Sequence, residues 1–459
     1  AAPPAFRPMV ASEMTRIGLK DKLIQYGKDI FDNLEELWED VPQNFEPRRT
    51  LHIIWQITER CNGNCMHCRV EVDEVAKMRR GGKDGMLTIE EGMQAVTRTT
   101  GSHCGTIASQ FRPDPSLDTL KRWLMNILES WDSPERKKLF PNRDQLVLVI
   151  TGGEPLIRKD LWEFLDFAHE KIKGTKHLLA LATNGLLVTP EVAKRFAAYA
   201  PHISHVFVSI DSVNPDTNDK IRGIKGALEK QIEAIKMFTG AGVMTIMSTV
   251  VQKLNFEDRS WQDLSNIQDE INKENQSNPN AAMAYFYPGF IIRSGRAHDR
   301  WDRVGLTPEQ YKEFFLERNE AVTEKMNNGG EIPFMDAFDI TPWMWICNTP
   351  EHADVADALG GCQACRCVMG IAVDGWVYPC EFESKTKLGH LDGGTTFFNA
   401  YNAPIARVIR ERKFRTKEPC KSCHHLPLCG GGCILFQETL DNDILSAWPY
   451  CWHDPNEAH

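Results

Sequence analysis

No stretch of this chain approaches the ~20 consecutive apolar residues that a helix needs to cross a bilayer. The N-terminal region lacks the short apolar core of a secretory signal. A dense Lys/Arg block is also missing, and 53 basic against 63 acidic side chains leave a formal charge of -10 at pH 7. That balance argues against nucleic acid as a main partner. No repeat of solenoid length is present. Together these absences suggest a cytoplasmic protein with no membrane or nucleic-acid partner. With 459 residues, 42% apolar and 25% charged, the chain can build two or three domains around a large core.

Cysteine, by contrast, is abundant. The 14 cysteines fall mostly in short-spaced groups, which in a large chain without a leader reads as metal ligation more than as a disulfide framework. The first group is Cys61, Cys65 and Cys68, a C-x3-C-x2-C run directly after the apolar segment Leu51–Thr58. Three thiolates from one loop can hold three irons of a [4Fe-4S] cube and leave the fourth open to chelate a substrate or cofactor. The competing reading is a zinc loop, although zinc sites usually close with a fourth Cys or His at finger spacing.

Residues 15–45 read as helical and acidic, and Pro47 ends that pattern. A helix opened by Thr88, with Glu90 and Glu91 in its first turn, follows the cysteine loop. Residues 101–144 interrupt the rhythm with polar Gly/Ser/Pro stretches around a helical Leu117–Trp131, and read as an insertion. From there strands are expected at Leu146–Thr151, Leu178–Ala182, His205–Ile210, Val243–Val251 and Ala282–Pro288, with amphipathic helices such as Leu161–Lys173 and Ala227–Gly240 between them. With Leu51–Thr58 this makes six β/α units, an α/β fold with a parallel sheet forming a partial (β/α)6 TIM-like barrel. Reactive groups should gather at the carboxyl ends of its strands. The expected division is a helical segment 1–48, a barrel 49–300, a helical bridge 301–345 and a Cys-rich region 346–459 with small β-hairpin and helical elements.

Four further motifs stand in order at expected strand ends: Thr151-Gly152-Gly153-Glu154-Pro155, Ala182-Thr183-Asn184-Gly185, Val208-Ser209-Ile210-Asp211-Ser212, and the run Asn218–Gly223. With the cysteine triplet they make the chain resemble the radical S-adenosylmethionine (SAM) superfamily over roughly residues 50–300. The resemblance implies that Cys61, Cys65 and Cys68 ligate a [4Fe-4S] cluster whose open iron takes the amino and carboxylate groups of SAM. Gly152, Gly153 and Glu154, with Pro155 closing the motif, would hold the SAM ammonium. Thr183, Asn184, Ser209 and Asp211 would lie on the ribose and carboxylate side. His67 stands where the family usually has an aromatic near adenine. The implied chemistry is one-electron cleavage of SAM to a 5′-deoxyadenosyl radical, which abstracts hydrogen from the substrate.

The tail carries Cys347, Cys362, Cys365, Cys367, Cys380, Cys420, Cys423, Cys429, Cys433 and Cys451. Asp374-Gly375, ahead of Cys380, reads as a hairpin turn. The run Cys420-x2-Cys423-x5-Cys429-x3-Cys433, with the hairpin, resembles the SPASM domain, which carries auxiliary clusters in peptide-modifying members of the superfamily. By that resemblance Cys420, Cys423, Cys429 and Cys451 enclose one cluster, and Cys380 and Cys433 join two upstream thiolates around another. Four candidates compete for those two places, with Cys347 and Cys362 favoured over Cys365 and Cys367. A zinc ribbon is the alternative for the tail. Arg293-Ser294-Gly295-Arg296-Ala297 resembles a Pro-x-Gly-Arg-Ala turn without its proline, and Arg296 could reach a carboxylate or pair with an acidic helix.

The resulting expectation is a maturase using SAM and three [4Fe-4S] clusters on a peptide or protein. It would draw on a flavodoxin- or ferredoxin-type reductant, and a separate protein could supply substrate recognition. Modification of a tetrapyrrole or another small metabolite is the alternative, and a pure electron carrier is disfavoured by the Gly152–Pro155 motif. No catalytic acid or base stands out among the many carboxylates.

Overall fold

The structure is a computed structural model. It describes residues 50–69, 86–98, 113–141, 143–327, 362–382, 386–410, 417–423, 426, 431–433 and 451. The helical segment expected over 1–48 lies outside the described residues, as do Cys104, Cys347 and Cys429.

Six strands run parallel in sequence order: β1 Thr50–Gln56, β2 Gln145–Thr151, β3 Leu178–Thr183, β4 Ile203–Ser209, β5 Thr245–Val251 and β6 Ala284–Phe290. Every strand expected from the sequence is present, with ends displaced by two residues at most. β2 and β3 are apolar apart from Gln145, Thr151 and Thr183 at their ends because helices cover the sheet, and all seven residues of β2 are buried. β6 ends the sheet, so Pro288 can stand inside it without removing a ladder hydrogen bond.

On the other side the sheet continues. β7 Val368–Ile371 pairs parallel with β1, His52 opposite Val368, and antiparallel β8 Trp376–Tyr378 and β9 Gly389–His390 complete nine strands. The Asp374-Gly375 turn joins β7 to β8, with Gly375 at φ +85°. Residues 50–305 and 368–403 form one compact unit, whereas 306–367 and 404–459 cluster as another. The described part of the second unit includes the helix Pro308–Asn327, in the region expected to be a helical bridge.

Leu117–Trp131 is a helix over the span read from the sequence, and it stands between β1 and β2 in the chain. Ser116 caps it by accepting from the Thr119 amide. Leu120, Trp123, Leu124, Ile127, Leu128 and Trp131 are buried along one face, and the helix lies between β1 and β2 against the helix Leu161–Ile172 that follows β2. Its other neighbours are late in the chain. Asn126 donates to Leu391 O and Thr395 O and accepts from the Phe397 amide, and the Trp131 ring meets Tyr401 edge-on at 5.2 Å. A Cβ on Gly375 would come within 2.6 Å of the Trp123 ring, so the hairpin turn also sits on this helix.

Two consequences can be measured. Deleting residues 117–139 should leave no cooperative thermal transition, because it removes a buried layer; a deletion variant that melts like the parent would refute that role. His52 on β1 and His205 on β4 stack with centroids 6.1 Å apart. Burial lowers His52 to about 4 and His205 well below its usual value, with His52 adding to the effect on His205. Both imidazoles therefore fold neutral, and the unfolded chain binds more protons between about pH 6.5 and 4. Their contribution is complete above about pH 6.5 and is lost as pH falls toward 4, about 3 kcal/mol for His52. Replacing His52 by Asn should flatten the loss of Tm between pH 7 and 5; an unchanged slope would count against the pair.

Candidate active site

The three cysteines lie on the loop leaving β1, a segment with no regular structure of its own. Backbone groups from neighbouring strand ends hold it. Ile57 N donates to Thr151 O at 2.9 Å, Gly153 N to Thr58 O at 2.7 Å, and Glu154 N to Arg60 O at 2.8 Å. Further along, Asn64 N donates to Arg222 O, Met66 N to Ile221 O, and Arg296 N to Cys68 O. The glycines of these turns are required by contact. A Cβ on Gly153 would stand 2.2 Å from Arg60 O, and one on Gly223, itself at φ +65°, 2.3 Å from Asn64 O. Gly152 likewise meets Thr58 O. Gly152 and Gly153 thus bring the loop after β2 against the cysteine loop. The buried Arg158 adds a donor to Ile57 O at 2.7 Å.

Within the loop, Cys61 Sγ accepts from Gly63 N at 3.3 Å and Asn184 Nδ2 approaches it at 3.8 Å. A Cβ on Gly63 would lie 3.4 Å from Cys61 Sγ and 3.6 Å from Cys65 Sγ, so two sulfurs converge over that residue. Burial pushes the Cys65 thiol up, against the opposing pull of the Arg222 and Arg296 charges. A thiol in that setting becomes thiolate when a metal replaces its proton.

Glu154 is fully buried. Its carboxylate accepts from Thr183 Oγ1 at 2.8 Å, Asn184 N at 2.7 Å and Leu156 N at 3.1 Å. Burial still raises it to about 7. Pro155 opens the short turn that follows. Glu154, expected to accept from a SAM ammonium, is thus already engaged in fixing the strand-end loops after β2 and β3. Asn184 continues this network by donating to Asn62 Oδ1 at 2.8 Å. Ser209 ends β4 half-buried, and His67, kept neutral near 4 by burial, lies with Nδ1 3.0 Å from Gln252 Nε2.

Two further residues hold partners within the protein. Asp211, expected on the ribose and carboxylate side, is fully buried, accepts from Val250 N at 2.9 Å and pairs with Arg222 at 2.8 Å. Arg296, expected at a carboxylate or an acidic helix, is fully buried and donates to Asn64 Oδ1 at 3.1 Å and to Cys65 O. Residue-type reasoning passed over Arg222, Asn62 and Arg158. Arg222 did lie in a motif singled out by its sequence, but its partners depend on the fold.

In the tail, Cys362, Cys365, Cys380, Cys420 and Cys433 are buried, Cys367 and Cys423 half-buried, and Cys451 exposed. Cys380 belongs to the sheet unit, where its carbonyl lies 2.6 Å from the Cβ position of Gly370. Cys365 has φ +57°, and Cys420–Ser422 form a short turn closed by Cys423 N donating to Cys420 O.

The profile of the radical SAM superfamily matches residues 135–261, and that of an iron-sulfur cluster-binding domain, SPASM, matches 362–424. Mycofactocin maturase MftC of Mycolicibacterium smegmatis is 30% identical over 315 residues, 66% of this chain and 68% of that protein. The chain belongs to the radical SAM superfamily. An AdoMet-dependent heme synthase of Nitratidesulfovibrio vulgaris is 23% identical, covering 88% of this chain and 92% of that one. Among solved structures, anSMEcpe with bound AdoMet overlays with a TM-score of 0.57 at 17% identity, covering 88% of this chain and 94% of that one. Streptococcus suis SuiB bound to precursor peptide SuiA overlays with a TM-score of 0.53 at 14% identity, covering 96% and 88%. Both share the fold. The protein is a radical SAM/SPASM enzyme whose cofactors are SAM and [4Fe-4S] clusters. Its superfamily match begins past the cysteine loop, which the hydrogen bonds to Thr58, Arg60 and Asn64 tie to the matched region.

The donor set fits such a cluster: three thiols on one loop, two of them converging, with two buried arginines beside them to balance thiolate charge. Gly153→Ala should therefore cost about 1–3 kcal/mol through overpacking and lower iron bound per chain. Wild-type iron content in a variant with unchanged Tm would show that the tight contact is not needed.

Proposed function

We propose that this enzyme is a maturase that abstracts hydrogen from a peptide or protein and so modifies it after translation. Similarity to a mycofactocin maturase at 30% identity is the observation that carries the reading. Cys61, Cys65 and Cys68 would hold the SAM-binding cluster, and the tail cysteines two auxiliary ones. Held there, the cofactors would supply one-electron radical chemistry. The chain's residues position and shield that chemistry. Glu154, just after β2, fixes Thr183 and Asn184 at the end of β3, where with Ser209 they would line the SAM site, and the uncharged His67 would face adenine. Gly152, Gly153 and Pro155 set the shape of that wall. Asp211 and Arg296 would act from behind the cysteine loop. A flavodoxin- or ferredoxin-type protein would deliver the electron in the cytoplasm, and a separate recognition protein could present the substrate.

Similarity to an AdoMet-dependent heme synthase across 88% of the chain favours a second reading, in which the substrate is a tetrapyrrole. Anaerobic co-expression with short peptides encoded beside the gene, followed by mass spectrometry, separates the two. A mass change on a peptide is expected; a changed porphyrin with every peptide intact would overturn the maturase. Cys65→Ala should abolish 5′-deoxyadenosine formation, whereas Cys423→Ala should retain part of it. Full yield from Cys65→Ala would contradict the role given to the triplet.

A further inference from the structure

Arg222 ends the helix Pro215–Arg222 with its guanidinium between two groups of opposite demand. Its Nε lies 2.8 Å from Asp211 Oδ2, the two side chains being 8% and 0% exposed. Its Nη1 lies 3.9 Å from Cys65 Sγ. Asp211 is fixed from the far side by the Val250 amide, and Arg222 by its carbonyl, which accepts from Asn64 N inside the cysteine loop. The pair is neutral overall, which keeps a bare charge out of the interior. It is also oriented, with its positive end toward the sulfur.

We propose that the Asp211–Arg222 pair sets the reduction potential of the cluster on Cys61, Cys65 and Cys68, with Arg222 raising it and Asp211 moderating that effect. Neither residue needs to touch the substrate; they act through Cys65 as positioning residues. The couple is one electron, taken by the cube from an external low-potential donor, with no bond made and no proton moved. Each added electron increases negative charge beside Cys65, so a cation next to that thiolate favours the reduced form, the more so where water is excluded. An N–H directed at the sulfur acts in the same direction. This inference rests on the cluster reading of the triplet.

The two ends of the pair make opposite demands on a measurement. In the anaerobically loaded enzyme, a dithionite titration followed by electron paramagnetic resonance isolates this cluster as the signal that changes when SAM is added. Arg222→Gln should shift the reduced-to-oxidised ratio at fixed ambient potential at least tenfold toward oxidised, about 59 mV for one electron. Asp211→Asn keeps a carbonyl acceptor for Val250 N and should shift the ratio several-fold toward reduced. Arg222→Lys keeps the charge and should stay within threefold of the parent. A purely structural role would change iron content or Tm without opposite shifts in potential. Should Arg222→Gln fail to hold iron, Asp211→Asn and Arg222→Lys still decide. Asp211→Asn unshifted or shifted toward oxidised would overturn the proposal, as would Arg222→Lys losing tenfold. Absence of any SAM-responsive signal in the parent would instead overturn the cluster reading itself.

Discussion

The cysteine loop has no hydrogen-bond ladder of its own, and the site depends on how other strand ends supply one. Amides from Gly153, Glu154 and Arg296 reach its carbonyls, while its own amides at Asn64 and Met66 reach the carbonyls of Arg222 and Ile221. Contacts this close leave no room for a Cβ at Gly153 or Gly223, so glycine is needed there for proximity as well as for its torsions. The arrangement places the sulfurs through backbone geometry, which tolerates little drift, and leaves the side chains of Asn184, Arg222 and Arg296 to adjust charge around them.

Charge in this site is handled by pairing behind the reacting side. Asp211 meets Arg222, and Glu154 meets a hydroxyl and two amides, although burial outweighs those bonds and raises it to about 7. His67 is kept uncharged by the same exclusion of water. The charged side chains behind the half-buried Cys61, Cys65 and Cys68 are thus paired or neutral, which avoids bare charge in the interior.

Much of this was legible in the residues. The apolar runs of β1 to β6 and their alternation with helices gave the parallel sheet, and Gly153, Glu154 and Arg222 of the strand-end motifs bond to the cysteine loop. Three things were not legible. Leu117–Trp131 was readable as a helix with the same ends, but its packing in the buried layer against residues 391–401 was not. The partners of Asp211 and Arg296 were chosen by burial, which side-chain chemistry alone does not reveal. The pairing of β7 with β1 joins segments far apart in the chain, and no local pattern encodes such a register.

That last pairing bears on how the enzyme comes to exist. β1 is made early, yet one of its edges is completed by Val368–Ile371, which leaves the ribosome much later. Until then the nascent chain presents an open strand edge beside the loop that carries Cys61, Cys65 and Cys68. Long-range parallel pairing forms slowly, and open edges invite association with other chains. Synthesis rate, chaperone supply and the timing of cluster delivery therefore bear on yield as directly as the stability of the finished fold.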